Sequence, residues 1–544
     1  MTDAALYDLV VIGGGVNGTG AFRDAALRGL RCALVEQSDF GAGATGASSG
    51  MIHGGVRYLL DEPRVTKLSC EDSGRIQRIV PHLLFRIPFL FAVSRSKKLA
   101  GGYLLGLDGF FEAYDRYQPR KRGLPHERLT ADEARRVEPG LSPDVAGAVT
   151  FDEWGIDSHR LCWLNARSGI EAGGECANHV RVQALEPRAG GAPGWVVRGR
   201  GTLDGAPWRA EARAVLNAAG AWGPGVAALG GADYRLRPSK GVHLVLDRRI
   251  GNWSITFSAI DGRSCFLEPW QNVTILGTTD DDYYGDLDDV PVTQDELEYL
   301  LASAETVYPS IRSFRRIDAW AGIRPTLYRY GPYEDDLSRE HQVFDHGARD
   351  GRPGLFSLAG GKLASFRAMA EDAVDAVAAF LGRPATACRT AELPLPGGEA
   401  PADEARLAVE FRLPRSAVRR LAYRHGALAA EVLAPTADHP AWRRLLCRCE
   451  PVTEAEVRYA ARVERAATLE DVMRRTRLGT GPCGGLRCAL PAALALADES
   501  GRDAGWARAE ARRFLEHRYR SRRSVADGAQ FRYEALLARA AREL

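Results

Sequence analysis

The sequence predicts an α/β protein: a Rossmann-like nucleotide-binding domain, a second domain built on an antiparallel sheet, and a small α-helical cysteine module near the C-terminus. Three observations carry this prediction. A strand-turn-helix-strand unit opens the chain around Gly13-Gly14-Gly15-Val16-Asn17-Gly18, the middle holds short β-type runs with polar breaks, and four cysteines gather late in the sequence. At 544 residues and 45% hydrophobic content the chain exceeds one hydrophobic core, so two or three domains are expected.

Taken in order, residues 7–12 form an apolar β-type run, residues 13–18 a turn, residues 19–28 a helix stopped by Gly29, and residues 32–36 a second strand. This is the setting in which a GxGxxG pattern becomes meaningful. Glycines permit the tight turn and close backbone approach, and the helix N-terminus offers free N–H groups and a positive dipole end to phosphates. Glu36, closing the second strand, is placed to accept hydrogen bonds from a ribose lacking a 2′-phosphate. Residues 213–220 and 354–362 read as later returns to the same sheet, the second running into a Gly turn and a helix. Residues 243–246 and 273–276 suit the antiparallel sheet.

The expected layout therefore gives residues 1–385 to a two-part catalytic region. Its nucleotide-binding parts fall at about 5–75, 149–235 and 315–385, and its substrate domain at about 76–148 and 236–314. A linker and helical region follows at 386–442, with the 394–401 Pro/Gly/Ala stretch as linker; then come the cysteine module at 443–497 and a helical tail at 498–544. Trp506, Phe514, Tyr519 and Phe531 are the tail's expected packing residues.

Composition narrows the function. A net charge of +2 with scattered basic residues argues against nucleic acid as a partner. No run approaches the roughly 18 apolar residues of a membrane span, and residues 1–12 lack signal-peptide regions, so a cytoplasmic location is expected. Residues 88–91, with Arg95, Lys97 and Lys98 and then Tyr103, Leu104 and Leu105, could touch a membrane surface, although ordinary core is the favoured reading. The six scattered cysteines (Cys32, Cys70, Cys162, Cys176, Cys265, Cys388) read as reduced and mostly buried.

Several residues could carry chemistry. The loop 39–50 is too rich in small and hydroxyl residues for core, and leads into Met51-Ile52-His53-Gly54-Gly55-Val56-Arg57-Tyr58. Such a loop lets backbone and hydroxyls approach a flat ring, with His53, Arg57 and Tyr58 supplying a titrating group, a cation and a phenol. Only six of the 72 basic residues are lysine, so Lys240 and Lys362, both beside glycines, suggest a need for a compact charge. With Arg324 in Gly322-Ile323-Arg324-Pro325 they could converge on an anion, or could be surface ion pairs. Arg339 is a weaker candidate in an ordinary polar loop.

The N-terminal fingerprint, His53-Gly54-Gly55-Val56-Arg57-Tyr58, Gly277-Thr278-Thr279-Asp280, Gly322-Ile323-Arg324-Pro325 and Gly360-Gly361-Lys362-Leu363 together resemble the FAD-dependent glycerol-3-phosphate dehydrogenases over about residues 5–380. The resemblance implies an FAD-binding domain of the D-amino-acid-oxidase/glutathione-reductase type. It implies that Gly13, Gly15, Gly18 and Glu36 hold the ADP half, that Thr45, Ser48 and Ser49 lie along the flavin, and that Val182 and Gly220 line the adenine and ribose side. Gly361, Lys362 and Leu363 would bring a helix N-terminus to the flavin's pyrimidine edge. Arg57, Tyr58, His243, Arg324, Arg339 and Lys362 would clamp glycerol 3-phosphate, with His53 or His243 as base while the C2 hydride passes to the flavin. Gly46-Ala47-Ser48-Ser49-Gly50 departs from members that carry a basic or amide side chain beside the flavin.

Cys447 and Cys449, in Leu-Cys-Arg-Cys-Glu, and Cys483 and Cys488, in Gly-Pro-Cys-Gly-Gly-Leu-Arg-Cys, are similar to the [2Fe-2S] module of bacterioferritin-associated ferredoxins, which anaerobic-type catalytic subunits of that family carry. The resemblance implies electrons passed to partner subunits and then to a quinone, at the inner face of the cell membrane. The same four cysteines could instead hold a structural zinc as a docking module, or be plain buried thiols. The catalytic part could equally serve another anionic amino or hydroxy acid.

Overall fold

The computed structural model describes residues 6–60, 62–96, 99–331, 340–383 and 386–543. Leu9, Val10 and Val11 are wholly buried because the strand Leu6–Ile12 is flanked on both sides by parallel strands and covered on both faces. The first sheet has eight strands. Its main path runs His341–Asp345, Leu355–Gly360, Pro207–Asn217, Leu6–Ile12, Cys32–Val35, Glu175–Ala177. From Leu355–Gly360 onward the neighbours are parallel, while His341–Asp345 closes one edge antiparallel. Trp195–Gly201 and Val180–Pro187 extend the long Pro207–Asn217 strand as an antiparallel flap. Phe22, Leu161 and Phe366, from the helices Val16–Leu27, Ser158–Glu171 and Phe366–Phe380, meet in one core against this sheet.

The second sheet has nine strands, antiparallel except where Ser254–Ser258 runs parallel to Leu84–Ser94. Two of its members differ from the expected division. Arg316–Leu327 does not return to the nucleotide-binding sheet but pairs with Leu236–Leu246 from Leu236 opposite Leu327 to Leu246 opposite Arg316. Val145–Ile156 likewise lies along Leu84–Ser94. Both pair along nearly their whole length with an antiparallel neighbour, a long-range choice that neither strand's own residues state.

Phe89 and Leu90 are buried in the Leu84–Ser94 strand, so residues 88–91 are core, whereas Leu99 and Leu105 stand exposed; Lys97 and Lys98 lie outside the described residues. Among the described residues no helix is long and apolar enough to cross a membrane. Of the six scattered cysteines five are buried and none is paired. Burial pushes the thiols of Cys32, Cys70 and Cys265 up to about 12, which keeps them protonated.

The stretch 394–401 is no free tether. Leu395, Gly397 and Gly398 are buried, the Leu395 N–H donates to Ile79 O at 2.7 Å, and a Cβ on Gly397 would meet His425 O at 2.2 Å. Glycine is required there because the chain is wedged between two backbones. Beyond it Leu407, Phe411, Val418, Leu421 and Val432 form a small helical core, and Val457, Leu469, Val472, Leu478, Leu496 and Phe514 form the core of the cysteine module. Phe514 packs as expected, but Phe531 is 45% exposed.

Charged seams join these parts. Arg475 reaches Asp39 with two contacts of 2.8 Å, Arg160 meets Glu464 at 2.7 Å and His179 meets Asp471 at 2.8 Å. On the far side Arg518, in the helix Ala504–Val525, contacts Asp318 of the second sheet at 2.6 Å.

Candidate active site and cysteine site

The Gly13–Gly18 turn is built as a nucleotide cradle must be. Gly13 has φ +111° and a Cβ there would lie 2.6 Å from Ala218 O; on Gly18 it would lie 1.8 Å from Gly13 O. Only glycine lets the turn fold flat under the helix Val16–Leu27, whose N-cap, Gly15, offers no side-chain cap. The Glu36 carboxylate accepts from the N–H of Gly14 at 2.5 Å and of Ser38 at 2.7 Å. Burial raises its pKa while those two N–H groups oppose the rise. Val182 lies half-buried in the flap, two residues beyond Val180, whose N–H donates to Glu36 O; Gly220, at φ +56°, opens a 3-10 turn after the Pro207–Asn217 strand. These observations fit the ADP half of FAD.

The hydroxyl loop has a structural task as well. Thr45 Oγ1 accepts from the Val16 N–H at 3.2 Å, closing one of the helix's free donors, so the threonine expected along the flavin caps the first helix. Ser48 Oγ donates to Thr45 O at 2.8 Å and accepts from the Gly50 N–H at 3.2 Å. Ser49 is half-buried beside it. The loop's small residues are dictated by neighbours: a Cβ on Gly46 would lie 2.0 Å from the His159 ring, and one on Gly322 would strike Ala47 O at 2.5 Å.

The structure brings the 53–58 segment and the 360–363 turn together. Lys362 Nζ sits 3.6 Å from the centroid of the Tyr58 ring, and a Cβ on Gly55 would be 3.5 Å from that nitrogen. Gly360 and Gly361 both have positive φ, leading into Leu363–Ser365 and the helix Phe366–Phe380. Arg57 is on the 3-10 turn Val56–Tyr58, and its side chain lies outside the described residues, as does Arg339. His53 Nδ1 accepts from the Gly55 N–H at 3.0 Å, so the neutral ring in this arrangement holds its proton on Nε2 and acts there as a donor.

Arg324 stands on the second sheet, held by Asp280 Oδ1 at 3.0 Å and Thr278 Oγ1 at 3.1 Å, both from the Gly277-Thr278-Thr279-Asp280 segment. Lys240 is not part of this group: it is ion-paired to Glu296 at 2.8 Å, at the capped start of the helix Gln294–Glu305. His243 is 4% exposed and stacks on Trp320 with ring centroids 5.5 Å apart. Burial, then the nearby Arg324 charge, lowers its pKa to about 3. The base was expected at His53 or His243; His243 is a neutral imidazole whose two ring nitrogens have no hydrogen-bond partner among the described residues.

Sequence reading passed over Glu268, Trp270 and Trp320. Phe266, Glu268 and Trp270 alternate onto one face of the Ser264–Trp270 strand, and Glu268 is wholly buried with its pKa raised well above the usual carboxyl range by desolvation. A lone Glu in Phe-Leu-Glu-Pro-Trp carries no motif, so only its burial marks it.

The four late cysteines converge. Cys449 Sγ and Cys483 Sγ are 3.9 Å apart, and Cys447 Sγ interacts with the side chains of both Cys449 and Cys488. Hydrogen bonds from Cys449 and Cys488 hold Cys447 well below a normal thiol, while the same contacts raise Cys449 and Cys488. Gly484 and Gly485 turn at positive φ, and a Cβ on Gly481 would lie 2.3 Å from Cys449 Cβ. The Glu450 N–H donates to Cys447 Sγ at 3.5 Å. The four sulfurs are linked in pairs, no three of them within 4.8 Å of one another, with a backbone N–H aimed at one; this spread suits a cluster held by two cysteine pairs better than a single tetrahedral ion.

The parallel sheet with its glycine cradle, facing a second sheet across the loop 41–50, defines an FAD-binding oxidoreductase. The family model "FAD dependent oxidoreductase" matches residues 8–367, and "C-terminal domain of alpha-glycerophosphate oxidase" matches 388–511, unbroken across both the helical stretch and the cysteine module. One subunit of the anaerobic glycerol-3-phosphate dehydrogenase of Escherichia coli K12 is 34% identical over 495 residues, covering 90% of this chain and 88% of the relative. Its counterpart in the anaerobic glycerol-3-phosphate dehydrogenase of Haloferax volcanii is 33% identical over 97% of this chain and 89% of its own. The FAD-complexed glycerol-3-phosphate dehydrogenase of Bacillus halodurans shares the fold with a TM-score of 0.74 at 24% identity, covering 96% of each chain. The chain belongs to the FAD-dependent glycerol-3-phosphate dehydrogenase family.

Proposed function

We propose that this FAD-dependent glycerol-3-phosphate dehydrogenase oxidises sn-glycerol 3-phosphate to dihydroxyacetone phosphate and passes the electrons through a [2Fe-2S] cluster on Cys447, Cys449, Cys483 and Cys488 to partner subunits, and from them to a quinone. FAD, when bound, supplies the hydride acceptor. The chain's own residues do the rest. Lys362, Arg324, Tyr58 and Arg57 bind the anionic substrate, His53 donates from Nε2 to a phosphate or hydroxyl oxygen, and neutral His243, whose ring nitrogens have no hydrogen-bond partner among the described residues, takes the substrate's C2 hydroxyl proton as the hydride leaves. Glu268, a buried carboxyl of raised pKa on the same sheet, holds a proton within the protein. Contact with a membrane runs, in this reading, through the partners.

The convergence of four thiols within a chain of this family is the observation that carries the relay. Iron, sulfide and zinc content of anaerobically purified protein tests it: iron and sulfide in equal amounts with little zinc is expected. Zinc in place of iron would make the region a docking module. Failure of glycerol 3-phosphate to bleach the flavin band would remove the substrate assignment.

A further inference from the structure

The turn between the strands Ser264–Trp270 and Val273–Gly277 lies where the end of the hydroxyl loop, the second sheet and the cysteine module come together around one side chain. Trp270 is its centre. A Cβ on Gly50, the last residue of the hydroxyl loop, would lie 3.8 Å from Trp270 Nε1. On the module's side the Arg477 guanidinium lies over the Trp270 ring, 4.1 Å from its centroid, and Arg477 Nε contacts Glu450 Oε2 at 3.4 Å, next to Cys449. The following residues fasten the contact: Asn272 Nδ2 donates to the backbone carbonyl of Cys449 at 3.2 Å, and Gln271 Oε1 accepts from Arg420. Within the second sheet Trp270 and Trp320 are 6.0 Å apart, and Trp320 stacks on His243 at 5.5 Å.

We infer that Trp270 is the electron bridge between the flavin and the cysteine-held cluster. The inference rests on the cluster reading above. A hydride brings two electrons and one proton to the flavin. Two successive one-electron passages through Trp270 to the cluster restore the oxidised flavin, the proton returns to solvent, and a one-electron acceptor on a partner chain empties the cluster between passages. Indole is suited to this place because its broad π-surface fills the gap with packed matter where a smaller side chain would leave a void. The guanidinium over its face fixes the ring and carries the contact to the residue beside Cys449. Asn272 then ties the turn to the cysteine's own backbone and fixes the spacing.

The experiment uses the full chain, with FAD and cluster, as wild type, Trp270→Leu, Trp270→Phe and Asn272→Ala. Anaerobic rapid mixing with glycerol 3-phosphate follows flavin bleaching and cluster reduction separately, by absorbance and by freeze-quenched paramagnetic resonance. Flavin bleaching is expected to stay within a factor of two of wild type in all four proteins, given that Trp270 is asked to do nothing in the hydride step. Cluster reduction is expected to fall by an order of magnitude or more in Trp270→Leu, to recover in Trp270→Phe, and to fall less in Asn272→Ala. A second readout needs no turnover: in chain freed of iron, adding FAD quenches tryptophan emission, and rebuilding the cluster in chain freed of FAD quenches it again. Both increments should shrink in Trp270→Leu. Cluster reduction that keeps pace with flavin bleaching in a Trp270→Leu protein holding full iron and FAD overturns the bridge. Absence of iron and sulfide from the wild-type chain overturns the cluster reading instead. If Trp270→Leu fails to fold, undiminished cluster reduction and quenching in Asn272→Ala decide against the bridge.

Discussion

Replacing Arg475 by leucine should loosen the cysteine module from the FAD domain more than any other single change at that seam. Arg475 and Asp39 are both fully buried, joined by two contacts of 2.8 Å, and the guanidinium also lies 5.0 Å from the Trp163 ring centroid and 5.7 Å from that of Phe40. Without Arg475 the Asp39 carboxylate keeps a 3.2 Å contact from Asn178 and a weaker partner in Arg474 at 3.7 Å. Removing one partner of a buried pair costs about 3–5 kcal/mol, most of it the burden of the stranded charge. At about 1.4 kcal/mol per decade, the population with the seam open should rise by two to three and a half orders of magnitude. Native-state proteolysis reads that population when closing outpaces cleavage. Cleavage across residues 386–500 should accelerate correspondingly, and Asp39→Asn added to Arg475→Leu should recover a large part of the loss. A single variant that resists protease as well as wild type, or a double variant no better than the single, would refute the assignment.

Gly18→Ala should yield protein without flavin, because its Cβ would fall 1.8 Å from Gly13 O; a full flavin absorbance ratio after purification would count against the cradle. Lys362→Met should lower kcat/KM for glycerol 3-phosphate by about 10²-fold with FAD retained, as loss of one charged donor at a reacting centre does; unchanged kinetics would dismiss the lysine. Acid stability should decline in two stages. Burial first, with nearby positive charge, lowers His82 to about 3, and burial lowers His159 to about 4, whereas the unfolded chain takes up these protons near 6.5. Their stabilisation is therefore complete above pH 6.5 and is lost as pH falls toward 4 and 3, about 2 kcal/mol each by pH 5. For Asp39 burial pushes up and Arg475 pulls down more strongly, to about 2, so its contribution is full above 3.8 and lost as pH falls through 2. A urea midpoint that holds steady from pH 7 to 5 would contradict the first stage.

The first strand, first helix and second strand were legible because each carries a local signal: an apolar run, a glycine whose neighbours forbid a Cβ, a carboxylate at the strand's end. The assignment of Arg316–Leu327 to a sheet was not, since pairing with Leu236–Leu246 is a long-range choice that neither strand's sequence states. The same holds at the site. His53, Tyr58 and Lys362 are marked by neighbouring glycines and Arg324 by its Gly and Pro neighbours, but the Asp280 partner of Arg324 and the stacking of Lys362 on Tyr58 came only with the fold. Lys240 had the same local look and turned out to be an ion pair with a helix cap, because sequence cannot show which face of a strand meets which helix. Trp270 and Glu268 carry no motif at all, and their interest arises wholly from what surrounds them.

The seam of buried ions has a consequence for how this chain can be taken apart. Its sequence looks like a cassette, an oxidoreductase followed by a detachable cysteine tail. Yet Asp39, Arg160 and Asp318 each find an opposite charge, and His179 a carboxylate, beyond residue 460. A shortened chain ending near residue 385 would leave three unanswered charges, Asp39, Arg160 and Asp318, and one imidazole without its carboxylate partner. Grafting the tail onto another flavoprotein would strand the matching four. The two halves can be exchanged only together with each other's counter-ions, so the unit that evolution or an engineer can move is the whole chain.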